Sequence, residues 1–113
     1  MCEDVKYSLE QVFQKLKKEY KHPLKNKPIE LEFVTLEDDK NCMAITEHHN
    51  EKYLIKINLD ELTNQYTFWL HILIHEFAHV LAGFKTKRIH TNQWGVWYAK
   101  IYRKVIDEDL LNI

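Results

Sequence analysis

Apolar residues recur every three or four positions near the amino terminus, as Val5, Leu9, Val12, Phe13, Leu16 and Tyr20. That spacing gathers them into one stripe and predicts a helix over residues 4 to 20. Residues 21 to 28 hold Pro23, Pro28 and three lysines, which end the helix and read as a solvated connector. The period then shortens to two. Ile29, Leu31 and Phe33 alternate with Glu30 and Glu32; Met43 and Ile45 follow; and Tyr53, Ile55 and Ile57 alternate with Lys56 and Asn58. Three short strands are predicted, with the polar stretches 37 to 41 and 47 to 52 as the turns of a small, mainly antiparallel meander.

Helical spacing returns after Asp60, a candidate N-cap, with Leu62, Tyr66, Trp69, Leu73 and Phe77 in register and Leu70, Ile74, Ala78 and Leu81 beside them. Gly83 is the matching C-cap candidate. A helix apolar round most of its circumference belongs inside the protein. A last helix, from about Thr91 to Asp107, sets Trp94, Trp97 or Tyr98, Ile101 and Val105 on one face. The order helix, three strands, two helices predicts an α+β fold formed as a single domain over residues 1 to 113, with no internal repeat or linker.

Composition narrows the setting. With 45% hydrophobic and 29% charged residues the chain has the make-up of an ordinary globular protein, and its formal net charge of -1 exerts no overall pull on nucleic acid or anionic lipid. The start of the chain lacks the basic and apolar runs of a secretory signal, and no segment reaches the roughly 20 apolar residues of a membrane span. An intracellular monomer without a membrane partner is expected, cytoplasmic, or nuclear in a eukaryote. Cys2 and Cys42 are too few for a four-cysteine zinc site or a disulfide framework, so any metal must be held mainly by histidine and carboxylate. Of the seven histidines, His22, His48 and His49 stand in polar surroundings without ligand spacing and read as surface.

The chemistry lies in His75-Glu76-Phe77-Ala78-His79. A separation of four residues stacks two imidazoles on one helix face, about 6 Å apart along the axis, which suits two ligands of one ion. Glu76 projects about 100 degrees round the helix from His75, within reach of a metal-bound water and so placed as a general base. A catalytic zinc keeps one position open for that water and polarises the scissile carbonyl, so a third protein ligand is required. His71, His75 and His79 together would span about 12 Å of axial rise, too far for one zinc. His90, beyond the turn permitted by Gly83, is the better third ligand, and His71 is expected to be a packed, hydrogen-bonded ring. The plain alternative is that His75 and His79 are core histidines; two imidazoles and a carboxylate would be costly to bury with no metal to pair them.

The stretch HEFAHVLAGFKTKRIHTNQW resembles the zinc-binding segment of the SprT-like metalloproteases, relatives of Spartan within the zincin superfamily defined by HExxH. In that family the first motif lies on a helix and the third ligand is a His followed a few residues on by an aromatic, here His90 and Trp94. The resemblance covers about Ile55 to Val105. It implies a minimal zincin core, zinc (Zn2+) held by His75, His79 and His90, and Glu76 as catalyst of a zinc-dependent endopeptidase. It also implies a substrate peptide added as a strand along about Cys42 to Glu47, and a substrate class of DNA-associated or DNA-crosslinked proteins. This sequence has Thr91 where many members have Gly, and no cysteines for an accessory zinc ribbon. Lys85, Lys87, Arg88, Lys100, Arg103 and Lys104, with no acidic residue from 85 to 104, form the one basic segment that could meet DNA. The bland account of that segment is a solvated face. The alternative functions are a zinc-containing DNA- or protein-binding module without catalysis, and a metal-free interaction protein.

Overall fold

The computed structural model describes residues 3–21, 27–35, 43–49, 52–83 and 92–107. Helix α1 (Glu3–Glu19) carries Glu3 and Asp4 in its first turn and Lys17 and Lys18 in its last, which complements the helix dipole at both ends. Val5, Leu9, Val12, Phe13 and Leu16 form its buried stripe, as their spacing predicts. Strands β1 (Ile29–Val34), β2 (Ala44–His49) and β3 (Lys52–Asn58) form one sheet, and the fold is α+β.

The sheet is mixed rather than a meander. Its order is β1-β3-β2, with β3 parallel to β1 and antiparallel to β2. The cause is the apolar content of β3, where Tyr53, Leu54, Ile55 and Ile57 are all buried; a strand covered on both faces belongs in the middle. Two further expectations shift. Glu47 to His49 and Lys52 extend the paired strands instead of forming a turn. In β2 the core-facing side is that of Ala44 and Thr46, opposite Ile57 and Ile55, while Met43 is exposed.

Helix α2 (Tyr66–Ala82) begins later than a cap at Asp60 would place it. Asn58 accepts the Asp60 N–H through Oδ1 at 3.0 Å, and its carbonyl accepts the Glu61 N–H at 3.2 Å, so the chain leaves β3 through an Asx-type turn. Gln65 precedes the helix without a side-chain cap, and Thr63 Oγ1 accepts from Gln65 N and Trp69 Nε1 at 3.3 and 2.9 Å. Leu62 is buried in that turn. At the other end Gly83 takes φ 81°, and its N–H meets the carbonyls of His79 and Val80 at 3.1 and 3.3 Å. That left-handed turn is one glycine adopts without strain.

Helix α3 (Asn92–Tyr102) runs on into a π-helical turn, Arg103–Asp107. Ile101 and Val105 are buried, and Trp94, Trp97 and Tyr98 are half-buried against the core, so the predicted apolar face is present. The core is built on α2, whose Trp69, Leu73, Ile74, Phe77 and Ala78 are almost wholly buried. Phe77 packs edge-on to Phe13 of α1 at 6.2 Å between ring centroids. Among the described residues no helix is long and apolar enough to cross a membrane.

Candidate metal centre

One face of α2 is not apolar. His71, His75 and His79, each half-buried, follow one another at four-residue intervals, and Glu76 is buried beside them at 7% exposure. His75 Nε2 and His79 Nε2 lie 3.2 Å apart, with the rings nearly perpendicular and their centroids 4.9 Å apart. At that distance one ring N–H can donate to the other ring, or both lone pairs can turn onto one cation. Glu76 Oε2 is 3.6 Å from His75 Nε2. The ligand atoms of His75, Glu76 and His79 all lie within 4.8 Å of one another, a group that could hold a metal ion.

Two neighbours fix this cluster. Thr46 of β2 directs its hydroxyl at Glu76, 2.7 Å from Oε1 and 3.3 Å from the main-chain carbonyl oxygen. Desolvation by burial pushes the Glu76 carboxyl above the ordinary carboxylate range, and the Thr46 hydrogen bond works against that rise. Trp94, in the first turn of α3, donates its Nε1–H to the His75 carbonyl at 3.2 Å. Its ring lies 5.1 Å from that of His75 and 5.6 Å from that of His79.

An aromatic ladder on α3 thus faces the histidine ladder on α2. Trp94, Tyr98 and Tyr102 recur at four-residue spacing and pack on one another, and their rings meet those of His71, His75 and His79 across the two helices. His71 meets the far end of the ladder: its Nδ1 is 3.5 Å from the Tyr98 hydroxyl, and its ring centroid is 5.2 Å from that of Tyr102. His71 therefore packs against Tyr98 and Tyr102.

His90 lies outside the described residues, as do Lys85, Lys87, Arg88, His22, Cys2 and Cys42. Of the remaining basic segment, Lys100 Nζ sits 5.1 Å from the centroid of the Trp97 ring, Lys104 pairs with Glu19 at 3.1 Å, and Arg103 is exposed. His48 and His49 are surface residues, the first stacked on Tyr53 and the second 2.7 Å from Glu47. Thr46 is the site residue that sequence reasoning missed. The only trace of it was a polar residue between Ile45 and Glu47 in a strand whose inward face could not be read from so few apolar positions. Comparisons with protein-family models, curated proteins and solved structures find no match to this chain.

Proposed function

We propose that the chain holds one zinc ion through His75, His79 and His90 and hydrolyses peptide bonds with Glu76 as general base. The observation that carries this reading is the convergence of two imidazole nitrogens 3.2 Å apart beside a buried carboxylate oxygen. Two nitrogens about 2.0–2.1 Å from a tetrahedral zinc lie about 3.3 Å from each other, so the pair has the separation that two such ligands need. Zinc, when bound, supplies a Lewis acid that makes water acidic near neutral pH and polarises a carbonyl group. Glu76 then takes a proton from the attacking water and returns it to the leaving amine, a transfer its burial protects from competing bulk water.

His90 is proposed as third ligand because it stands two residues before α3, whose first turn is anchored by Trp94 on both rings. His71 is assigned no part in coordination, since it stands a further turn along α2 from His75 and its Nδ1 faces the Tyr98 hydroxyl. The substrate in this reading is an extended peptide that pairs with β2, a strand at the edge of the described sheet, with main-chain hydrogen bonds giving broad sequence tolerance. DNA-associated or DNA-crosslinked protein is the class that the resemblance to the SprT-like metalloproteases suggests. A second reading, a closed structural zinc site without catalysis, would use the same side chains with Glu76 as a further ligand.

Glu76→Gln separates the two. The purified variant is expected to keep about one equivalent of zinc by elemental analysis while its rate on casein, or on a protein crosslinked to DNA, drops by at least about 100-fold. A variant as active as the wild type sinks the mechanism, and loss of zinc from it favours the closed site. Running the same assays with and without DNA decides whether nucleic acid takes part.

A further inference from the structure

Thr46 and Glu76 are 30 residues apart in sequence, yet their side chains meet at 2.7 Å. A hydroxyl has one proton to give, and the short contact to carboxylate Oε1 takes it in preference to the carbonyl at 3.3 Å. Oε2 is left as the oxygen facing His75 Nε2 at 3.6 Å. Thr46 therefore decides which carboxylate oxygen turns toward the histidine pair and how far it can advance.

The strand register gives Thr46 a second property. The Met43 carbonyl accepts the Asn58 N–H at 2.8 Å, which marks Met43 and Asn58 as a hydrogen-bonded pair of the antiparallel ladder. Such pairs alternate, so residues 45 and 47 also direct their main-chain groups at β3. Thr46, opposite Ile55, directs its N–H and C=O to the side of β2 away from β3 while its side chain reaches α2. The residue whose backbone would pair with an extended peptide is also the residue that holds the base.

We propose that Thr46 is a positioning residue that keeps Glu76 beside the metal rather than on it, so that the carboxylate serves as base and not as ligand; this rests on the metal and base roles proposed above. The Glu76 carboxylate lies within 4.8 Å of both imidazole ligand atoms, so attraction to a divalent cation there pulls it toward coordination, and the Thr46 hydrogen bond opposes that pull. Loss of the Thr46 hydroxyl alone should convert Glu76 from base to ligand.

The test uses the full chain loaded with cobalt(II), which takes zinc's place in nitrogen and oxygen sites and absorbs visible light more weakly as its coordination number rises. In T46V, isosteric and well suited to a strand, absorption per cobalt is expected to fall about threefold as Glu76 joins the three histidines and the bound water in a five-coordinate site. T46S should keep the wild-type spectrum, and adding Glu76→Gln to T46V should restore it. With zinc, T46V is expected to lose about 10- to 100-fold in kcat with KM within about threefold, and T46S to recover most of that loss.

Identical cobalt spectra for T46V and wild type overturn the proposal, whatever the peptidase assay gives. A wild type that cleaves no peptide while T46V still changes the spectrum overturns the peptidase reading and leaves the role of Thr46 standing. Thr46→Ala, judged by the same spectra, takes the place of T46V should the valine variant fail to fold by circular dichroism.

Discussion

Glu76 is a carboxylate on a helix whose other buried residues are Trp69, Leu70, Leu73, Ile74, Phe77, Ala78 and Val80. Burying such a group is costly unless a hydrogen bond or an opposite charge compensates, and Thr46 supplies only the first. The histidines next to it supply the second when they carry a cation. The His-Glu-His triplet was legible in the sequence because a spacing of four residues fixes neighbours on a helix whatever the rest of the chain does. Thr46 was not, because a contact across 30 residues depends on which strand lands against α2 and on its register. The roles of the histidines can be separated one at a time by zinc competition against a chromophoric chelator. Residues that merely orient a ligand change affinity by about 10- to 100-fold, so loss of a direct ligand should cost at least about 100-fold. His75→Ala, His79→Ala and His90→Ala are expected to meet that mark, and His71→Ala to stay within about tenfold, since its ring packs against Tyr98 and Tyr102 a turn away from the pair. A His71→Ala protein that loses zinc as fully as His75→Ala would move His71 into the ligand set.

The elements themselves were read well from periodicity, and their arrangement less so. Three strands and three helices occur in the predicted order, with Gly83 ending α2 as expected, while the bounds of β2, β3 and the start of α2 shift. Alternation says which side of a strand is wet, not which strand is its neighbour, and so the meander gave way to a sheet with β3 in the centre. The helix start moved because Asn58 closes a turn that a cap-residue rule assigns to Asp60. At this scale the contact that matters is α3 on α2, and Trp94 carries it through its hydrogen bond to the His75 carbonyl and its packing on both rings. Trp94→Phe removes the hydrogen bond and keeps most of the packing, so about 1 kcal/mol of stability is expected to go, near 4 °C in Tm. Trp94→Ala removes both and should cost about 2–4 kcal/mol, less than a fully buried tryptophan would. Thermal melts of the two variants, paired with zinc titrations, check this. Equal melting temperatures for the alanine variant and the wild type would mean that α3 is held in place by other contacts.

For the whole molecule, α2 is the hub, packed against α1, β2, β3 and α3. A ligand on its polar face therefore reports on each of those elements, because α2 cannot leave its place without opening the core around Leu73, Ile74 and Phe77. Binding that is confined to the folded state stabilises by RT ln(1 + [L]/Kd), about 2.7 kcal/mol when free zinc is 100 times Kd. For a chain of 113 residues that corresponds to a rise of roughly 10 °C in Tm. Removing the metal with a chelator should lower the melting temperature by the same amount, and returning zinc should restore it. The control lies in two variants that fail differently. Leu73→Ala empties a wholly buried position and should cost about 2–5 kcal/mol with or without zinc, so its chelator shift stays the size of the wild type's. His79→Ala changes a half-buried ring at the rim, so its metal-free Tm should stay close to that of metal-free wild type while the chelator shift vanishes. Were the wild type to melt at one temperature with zinc, with chelator and in the His79→Ala background, the histidine pair would be a packed feature of the helix and no metal would contribute to the fold.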